Sequence, residues 1–219
     1  MTVLRAIVLD FDGVLAESNE VKEHAFEDLF ALYPLYQEDM RNYHREHYSM
    51  PREEKFKYYV SNFMGRKNDL AMTSTMSKQF SEFVKPLVIS APDVPGAREF
   101  LNEFSTKIPL YISSVTPQSE LLEIVAARGV APMVQGVFGN PPWRKPDAIC
   151  EILKRENADP SEVVFIGDSP SDFYSAKEVG VRFIGRDSGV LFDSIEVKLH
   201  KDLFIISSIV RELVKGRDD

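Results

Sequence analysis

Apolar and polar positions follow two rhythms along this chain. Residues 4–15, Leu-Arg-Ala-Ile-Val-Leu-Asp-Phe-Asp-Gly-Val-Leu, begin as an apolar run rich in β-branched residues and end abruptly in two acids. Ile7, Val8 and Leu9 predict a strand buried on both faces. From Glu17 to Lys85 the apolar residues instead recur at helical spacing. Val21, Phe26, Leu29, Phe30 and Tyr33 mark a first helix, ended by Pro34. Tyr36, Met40, Tyr43 and His47 mark a second, and Phe56, Tyr59, Val60 and Phe63 a third, with Gly65 as its C-terminal cap. Met76, Phe80, Phe83, Val84 and Leu87 mark a fourth, expected to end near Pro86.

Beyond the Pro-rich stretch Ala91-Pro92-Asp93-Val94-Pro95-Gly96 the first rhythm returns. A helix carrying Phe100, Leu101 and Phe104 precedes a strand at Leu110–Ile112, which ends in Ser113-Ser114. Thr116 and Pro117 predict the N-cap and first residue of a helix that stops at Gly129. A short strand at Val137-Phe138, a helix through Ile149, Ile152 and Leu153, and a strand at Val163–Ile166 follow. The last of these ends in Gly167-Asp168-Ser169-Pro170-Ser171-Asp172. A helix through Phe173, Ala176 and Val179 stops at Gly180, a strand runs from Val181 to Ile184, and the remainder predicts a short strand near Phe204–Ile206 and a terminal helix. Strand–helix alternation implies an α/β fold, a Rossmann-like, mainly parallel sheet with helices on both faces. The helical run interrupts that alternation. The expected organisation is therefore a core of residues 1–16 and 92–219 carrying an inserted helical domain, 17–91.

Composition narrows the function. The 219 residues are 44% hydrophobic and 27% charged, as in globular proteins. No apolar stretch reaches the length of a membrane span. The first residues enter a strand with no basic, apolar and cleavage-site sequence, so a cytoplasmic location is expected. A single cysteine, Cys150, excludes an internal disulfide, and its helical surroundings suggest a packing role. A net charge of −8 without a long basic run disfavours nucleic acid and anionic membranes as partners.

The chemistry lies at the strand ends. In a parallel sheet the carboxyl ends of the strands share one edge, where ligands bind. Asp10/Asp12, Ser113, Lys145 and Asp168/Asp172 all fall at such ends or in the loops that follow. Asp10 and Asp12, two positions apart, repel unless a cation sits beside them, and Mg²⁺ suits hard oxygen ligands. A strand end followed by an Asp-Gly turn is the plainer reading of the first motif alone. Together the groups comprise a carboxylate nucleophile, a second acid, a hydroxyl, a cation and a further acidic site, the parts needed for phosphoryl transfer through an aspartyl-phosphate.

The order Asp10-x-Asp12-Gly13, Ser113 after a strand, Lys145-Pro146 and Gly167-Asp168-Ser-x-x-Asp172 resembles the haloacid dehalogenase superfamily of phosphohydrolases, over nearly the whole chain. The helical insert looks like the cap of its phosphoglycolate phosphatase and β-phosphoglucomutase branch. The resemblance implies that Asp10 attacks phosphorus, that Asp12 protonates the leaving oxygen and later takes a proton from water, and that the main-chain carbonyl of Asp12 binds metal. It implies a phosphoryl contact from Ser113 and charge neutralisation from Lys145. Asp10, Asp12, Asp168 and Asp172 become the Mg²⁺ residues, Asp172 from behind the direct ligands. Gly13 and the backbone amides near Phe11 and Ser114 become further phosphate contacts. An acid at position 12 resembles the phosphatases and phosphomutases rather than the dehalogenases, which lack one there.

Several assignments have competitors. Ser169-Pro170-Ser171-Asp172 is also a capping box, so Asp172 has a structural role available beside the metal. Ser114 can replace Ser113 after a register shift, and Arg144 competes with Lys145. Trp143 is expected to anchor its loop. In the insert, His44 and His47 are expected on a solvated helix face, with two metal ligands at most. Arg52, after the Ser-Met-Pro break, is expected to contact substrate, and Lys55 more weakly. The expected activity is a Mg²⁺-dependent phosphatase acting on a small phosphorylated metabolite, as a monomer or homodimer. A phosphomutase with the same intermediate, a phospho-accepting signalling module and a catalytically silent binding protein are the alternatives.

Overall fold

The computed structural model describes residues 4–47, 50–193 and 195–215. The chain divides into two compact units, residues 1–18 with 91–219, and residues 19–90.

The first unit is built on six parallel strands among the described residues: β1 (Ala6–Leu9), β2 (Leu110–Ser114), β3 (Gly136–Gly139), β4 (Val163–Gly167), β5 (Arg182–Arg186) and β6 (Leu199–His200), in the order β3-β2-β1-β4-β5-β6. β1 lies between β2 and β4, with Leu9 paired to Ile112 on one side and Ile166 on the other. All four β1 residues are buried. Their alternation divides them between two cores. Ala6 and Val8 join Tyr111, Phe138 and Phe165 in a cluster with Ala148, Ile149 and Ile152 of α7 (Lys145–Glu156) and Ala176 of α8 (Pro170–Val179). Ile7 and Leu9 point the other way and are equally buried. Right-handed crossovers run from β1 through β2 to β3 on one side, and from β3 back past β1 to β4, β5 and β6 on the other, which puts helices on both faces. α5 (Ala97–Phe104) packs on α9 (Leu203–Lys215), and α6 (Gln118–Ala127) lies against β3. Reversal of strand order beside β1 opens a crevice at its carboxyl end, and Asp10 is the next residue.

Three expectations for this unit are corrected. Phe204–Ile206 is helical, within α9, and the added strand is β6 at Leu199–His200. Leu203, Ile206 and Val210 are buried at helical spacing, a period that the short run Leu-Phe-Ile-Ile alone does not display. Pro117, not Thr116, is the N-cap of α6. Cys150 is exposed, because the buried face of α7 carries Ala148, Ile149 and Ile152 and residue 150 is turned away from it.

The segments leading to and from residues 19–90 pair with each other. Ala16 and Asp93 form an antiparallel bridge, the Glu17 amide donates to the Pro92 carbonyl at 2.9 Å, and the Val94 amide donates to Leu15 at 3.1 Å. Arg128 and Arg98 both hold the Asp93 carboxylate, and Arg128 also donates to the Ala91 carbonyl at 2.7 Å.

The second unit contains α1 (Asn19–Ala31), α2 (Gln37–Glu46), α3 (Arg52–Tyr58), a π-helical turn at Tyr59–Phe63 and α4 (Leu70–Ser90). Its core is aromatic. Phe26 stands 4.3 Å from Phe80 and 4.0 Å from the His44 ring, centroid to centroid, and Phe30, Phe56 and Tyr59 are fully buried. Pro86 does not end the fourth helix. It sits inside α4, whose buried residues Met76, Phe80, Val84 and Val88 continue at four-residue spacing past it. That stripe offsets the roughly 3 kcal/mol by which proline disfavours a helix interior. Ser49 of the expected Ser-Met-Pro break lies outside the described residues. No described helix is long and apolar enough to cross a membrane.

His44 is not solvated. It is 3% exposed, with Nε2 at 3.0 Å from Glu23 Oε1 and Nδ1 at 3.0 Å from Lys55 Nζ. An ammonium can only donate, so Nδ1 accepts and the proton resides on Nε2, directed at Glu23. Helical periodicity alone could not reveal this, since polar residues bury when each finds partners on neighbouring helices. His47 stacks on Tyr43 instead. Lys55 is 2% exposed, and burial lowers its pKa to about 8 despite the Glu23 carboxylate.

A lysine whose folded pKa is lowered binds fewer protons than the unfolded chain between about pH 8 and its ordinary 10.5. The contribution of Lys55 to stability therefore rises with pH across that window, by at most about 1.4 kcal/mol per pH unit. The stability difference between the wild type and Lys55→Met, read by denaturant unfolding at several pH values, should shift in favour of the wild type as pH rises through this window.

Candidate active site

Each polar residue at the site is delivered by a local structural cause. Asp10 continues β1, and its amide donates to the Ile166 carbonyl at 2.9 Å, extending the β1–β4 ladder by one residue. The chain then turns sharply. Leu15 and Ala16 donate back to the Phe11 carbonyl, and Gly13, at φ +69°, donates to Ala16 at 2.8 Å. A left-handed conformation at this point favours glycine. Lys145 is the first residue of α7, followed by Pro146 at a position where a missing amide costs little. Asp168 directly follows β4. Asp172 is the third residue of α8, where it closes a capping box with Ser169.

These side chains converge. Lys145 Nζ donates to Asp10 Oδ2 at 2.9 Å and also to Asp172 Oδ1. Asp10 Oδ1 accepts from the Phe11 amide at 2.7 Å. Asp172 Oδ2 accepts from the Ser169 hydroxyl at 2.6 Å and from the amides of Ser169 and Asp168 at 3.1 and 3.3 Å. Capping and electrostatic roles thus coexist in Asp172, one oxygen serving each. Asp10, Lys145, Asp168 and Asp172 are each at most 6% exposed.

Burial raises the Asp10 pKa well above its ordinary value, and the nearby carboxylates of Asp172, Asp168 and Asp12 push the same way against Lys145. Burial also works against the Lys145 charge, but Asp10 and Asp172 outweigh it and hold the amine protonated. Asp10, Asp168 and Asp172 each place a ligand oxygen within 4.8 Å of the others. With all three ionised, Lys145 offsets only one charge. A buried, all-oxygen, net-negative set is the environment a hard divalent cation such as Mg²⁺ fits.

Asp12 has a separate setting. Its Oδ1 accepts from Ser18 Oγ at 2.6 Å, and its Oδ2 is approached by the hydroxyls of Ser114 at 3.4 Å and Thr116 at 3.5 Å. The Ser114 hydroxyl is therefore engaged with Asp12. Ser113 Oγ, by contrast, is buried without a hydrogen-bond partner among the described residues, a donor and acceptor left for something the chain does not supply. The amides of Phe11 and Gly13, expected as phosphate contacts, already donate to Asp10 and Ala16. Arg144 lies on the surface, 3.8 Å from Glu178, while Lys145 occupies the interior. Trp143 anchors its loop: its amide donates to Gly139 and its ring meets Phe138 edge-on at 5.2 Å.

Arg52 and Lys55 belong to residues 19–90. Arg52 Nη2 donates to Ser81 Oγ at 3.0 Å, with its guanidinium over Phe80. Lys55, expected as a weaker substrate contact, is a buried partner of His44. Sequence reasoning missed Ser18, Thr116 and Arg186. Arg186 ends β5, and the strand-end rule extended to the fifth strand would have flagged it.

Gly167 makes the packing of Asp172 possible. A β-carbon on Gly167 would overlap the Asp172 Cβ and stand 2.6 Å from its Cγ, and α8 leaves that side chain little room to retreat. Gly167→Ala should destabilise the fold by about 1–3 kcal/mol, read as a lower urea midpoint at unchanged slope.

Known proteins carry the same frame. The haloacid dehalogenase-like hydrolase family model matches residues 7–186. Enolase-phosphatase E1 of Aquifex aeolicus is 24% identical over 206 residues, covering 83% of this chain and 89% of that protein. A predicted phosphoglycolate phosphatase from Haemophilus somnus superposes with a TM-score of 0.73 at 15% identity, covering 96% of this chain and 99% of that one. CbbY from Rhodobacter sphaeroides, solved with phosphate, gives 0.70 at 20% identity, with 91% and 92% covered. With the family match spanning most of the chain and the sheet edge carrying the acids and lysine in the expected order, this protein belongs to the haloacid dehalogenase-like hydrolases.

Proposed function

We propose that this hydrolase is a Mg²⁺-dependent phosphatase that cleaves a small phosphorylated metabolite, a sugar phosphate or phosphoglycolate-like ester, through an aspartyl-phosphate on Asp10. The observation that carries the reading is the buried Asp10 carboxylate held 2.9 Å from Lys145 within a trio of acids. Asp10, Asp168 and the Asp12 main-chain carbonyl hold the metal, with Asp172 completing the acidic set. When bound, Mg²⁺ neutralises charge so that an anionic nucleophile and an anionic phosphate can approach.

Asp10 attacks phosphorus in line, and the bond from phosphorus to the ester oxygen breaks. Asp12 gives that oxygen its proton. Asp12 then takes a proton from water as the water attacks phosphorus, and the bond to Asp10 breaks, releasing phosphate. Lys145 balances the charge on Asp10 and the phosphoryl group, and the unpartnered Ser113 hydroxyl binds a phosphoryl oxygen. Ser114 and Gly13 act indirectly, through the Asp12 carboxylate and its turn. Residues 17–91 form a cap that selects the leaving group, with Arg52 as a substrate contact. The phosphate found with CbbY, and the xylulose-(1,5)bisphosphate found with a mutant of that protein, support a small phosphorylated substrate.

A phosphate-release screen over small phosphorylated metabolites tests this. Turnover should require Mg²⁺, stop on chelation, and fall by at least ~10³-fold in Asp10→Asn, as expected for removal of a nucleophile. Transfer of the phosphoryl group to another hydroxyl of the same sugar would replace the phosphatase with a phosphomutase. Stable phosphorylation of Asp10 without turnover would indicate a signalling role. On the substrate so found, Arg52→Ala should lower kcat/KM by roughly 10–100-fold, the equivalent of one charged hydrogen bond. An unchanged value removes Arg52 from the site.

A further inference from the structure

Arg186 has no part in the chemistry above, yet it is built into the same edge of the sheet. It is the last residue of β5, 7% exposed, and its guanidinium passes the end of β4 to reach the turn that follows β1. Nη1 donates to the Gly13 carbonyl at 3.2 Å and to Glu17 Oε2 at 3.0 Å, while Nη2 donates to Glu17 Oε1. Gly13 is the covalent neighbour of Asp12. Glu17 is the covalent neighbour of Ser18, whose hydroxyl holds Asp12 Oδ1 at 2.6 Å. One planar cation thus fixes both ends of the segment that determines where the Asp12 carboxyl points. A lysine, with a single point charge, could not span the carbonyl and both carboxylate oxygens.

We propose that Arg186 is a positioning residue for Asp12, holding its carboxyl in place to protonate the leaving oxygen by clamping Gly13 and Glu17. The proposal rests on the phosphatase reading. Both proton transfers made by Asp12 depend on that position, and the first, delivery of a proton as the ester bond breaks, is the one that kcat/KM reads. That step matters more as the leaving group becomes more basic: a nitrophenolate departs unaided, an alkoxide does not.

The experiment compares kcat/KM for p-nitrophenyl, phenyl and benzyl phosphate, ring-bearing esters of similar shape and increasing leaving-group basicity. kcat/KM reports transfer to Asp10 and precedes the attack of water. In Arg186→Gln, kcat/KM should fall roughly 10–100-fold for benzyl phosphate and stay within about threefold for p-nitrophenyl phosphate, within the range a positioned acid contributes. Glu17→Gln breaks the clamp from its more exposed side and should steepen the same dependence, which keeps the test available should Arg186→Gln fold poorly. Arg186→Lys should restore only part of the loss. Equal losses on all three esters, or none, in the variants that fold would overturn the proposal and leave the phosphatase reading intact. Should only a metabolite from the screen turn over, its alkoxide leaving group should show the loss expected for benzyl phosphate in Arg186→Gln and Glu17→Gln, and an undiminished kcat/KM would overturn the proposal alone. Absence of Asp10-dependent turnover of these esters and of every metabolite screened would overturn both.

Discussion

The buried ammonium of Lys145 is the interaction on which the site depends. Four acids, Asp10, Asp12, Asp168 and Asp172, are gathered at the carboxyl edge of a hydrophobic sheet, where each would repel the others. Lys145 reaches between Asp10 and Asp172 and makes that assembly tolerable. Its own burial is permitted only because those carboxylates surround it. The dependence is mutual, and it extends into the backbone: α7 must begin at residue 145, α8 must present Asp172 on its first turn, and Gly167 must lack a side chain for the two helices to meet the end of β1 as they do.

The strand ends were legible because parallel strands buried on both faces leave continuous apolar runs, and each run stops where polar chemistry starts. Asp10, Ser113, Lys145 and Asp168 could therefore be placed on one edge before any contact was known. Interactions between segments distant in sequence could not. His44 looks like an exposed helical residue until Glu23 and Lys55 are seen on either side of it. Arg186 looks like the charged end of a strand until its two distant partners, Gly13 and Glu17, are seen. Local propensity also failed where packing prevailed: Pro86 is carried inside α4 by the apolar stripe around it, and the π turn at Tyr59–Phe63 departs from the 3.6-residue period that sequence reading assumes.

The two units draw on different materials. The sheet unit is sealed largely by β-branched and aliphatic side chains, whose stiff branched shapes suit a pleated surface. Residues 19–90 are filled by rings, including the histidine of a buried polar relay. Aromatic side chains cover much area per residue, which gives a helical unit of this size a core of its own.

The antiparallel bridge between Ala16 and Asp93 has a consequence for how such a chain can diversify. Because the outgoing and returning segments are hydrogen-bonded neighbours, the intervening residues occupy the topological place of a hairpin loop, however many there are. The sheet constrains only the spacing of the two ends. What lies between can be lengthened, shortened or exchanged for another self-contained unit without altering a single strand pairing, so the part that distinguishes one member of such a lineage from another is free to change while the reacting groups stay fixed.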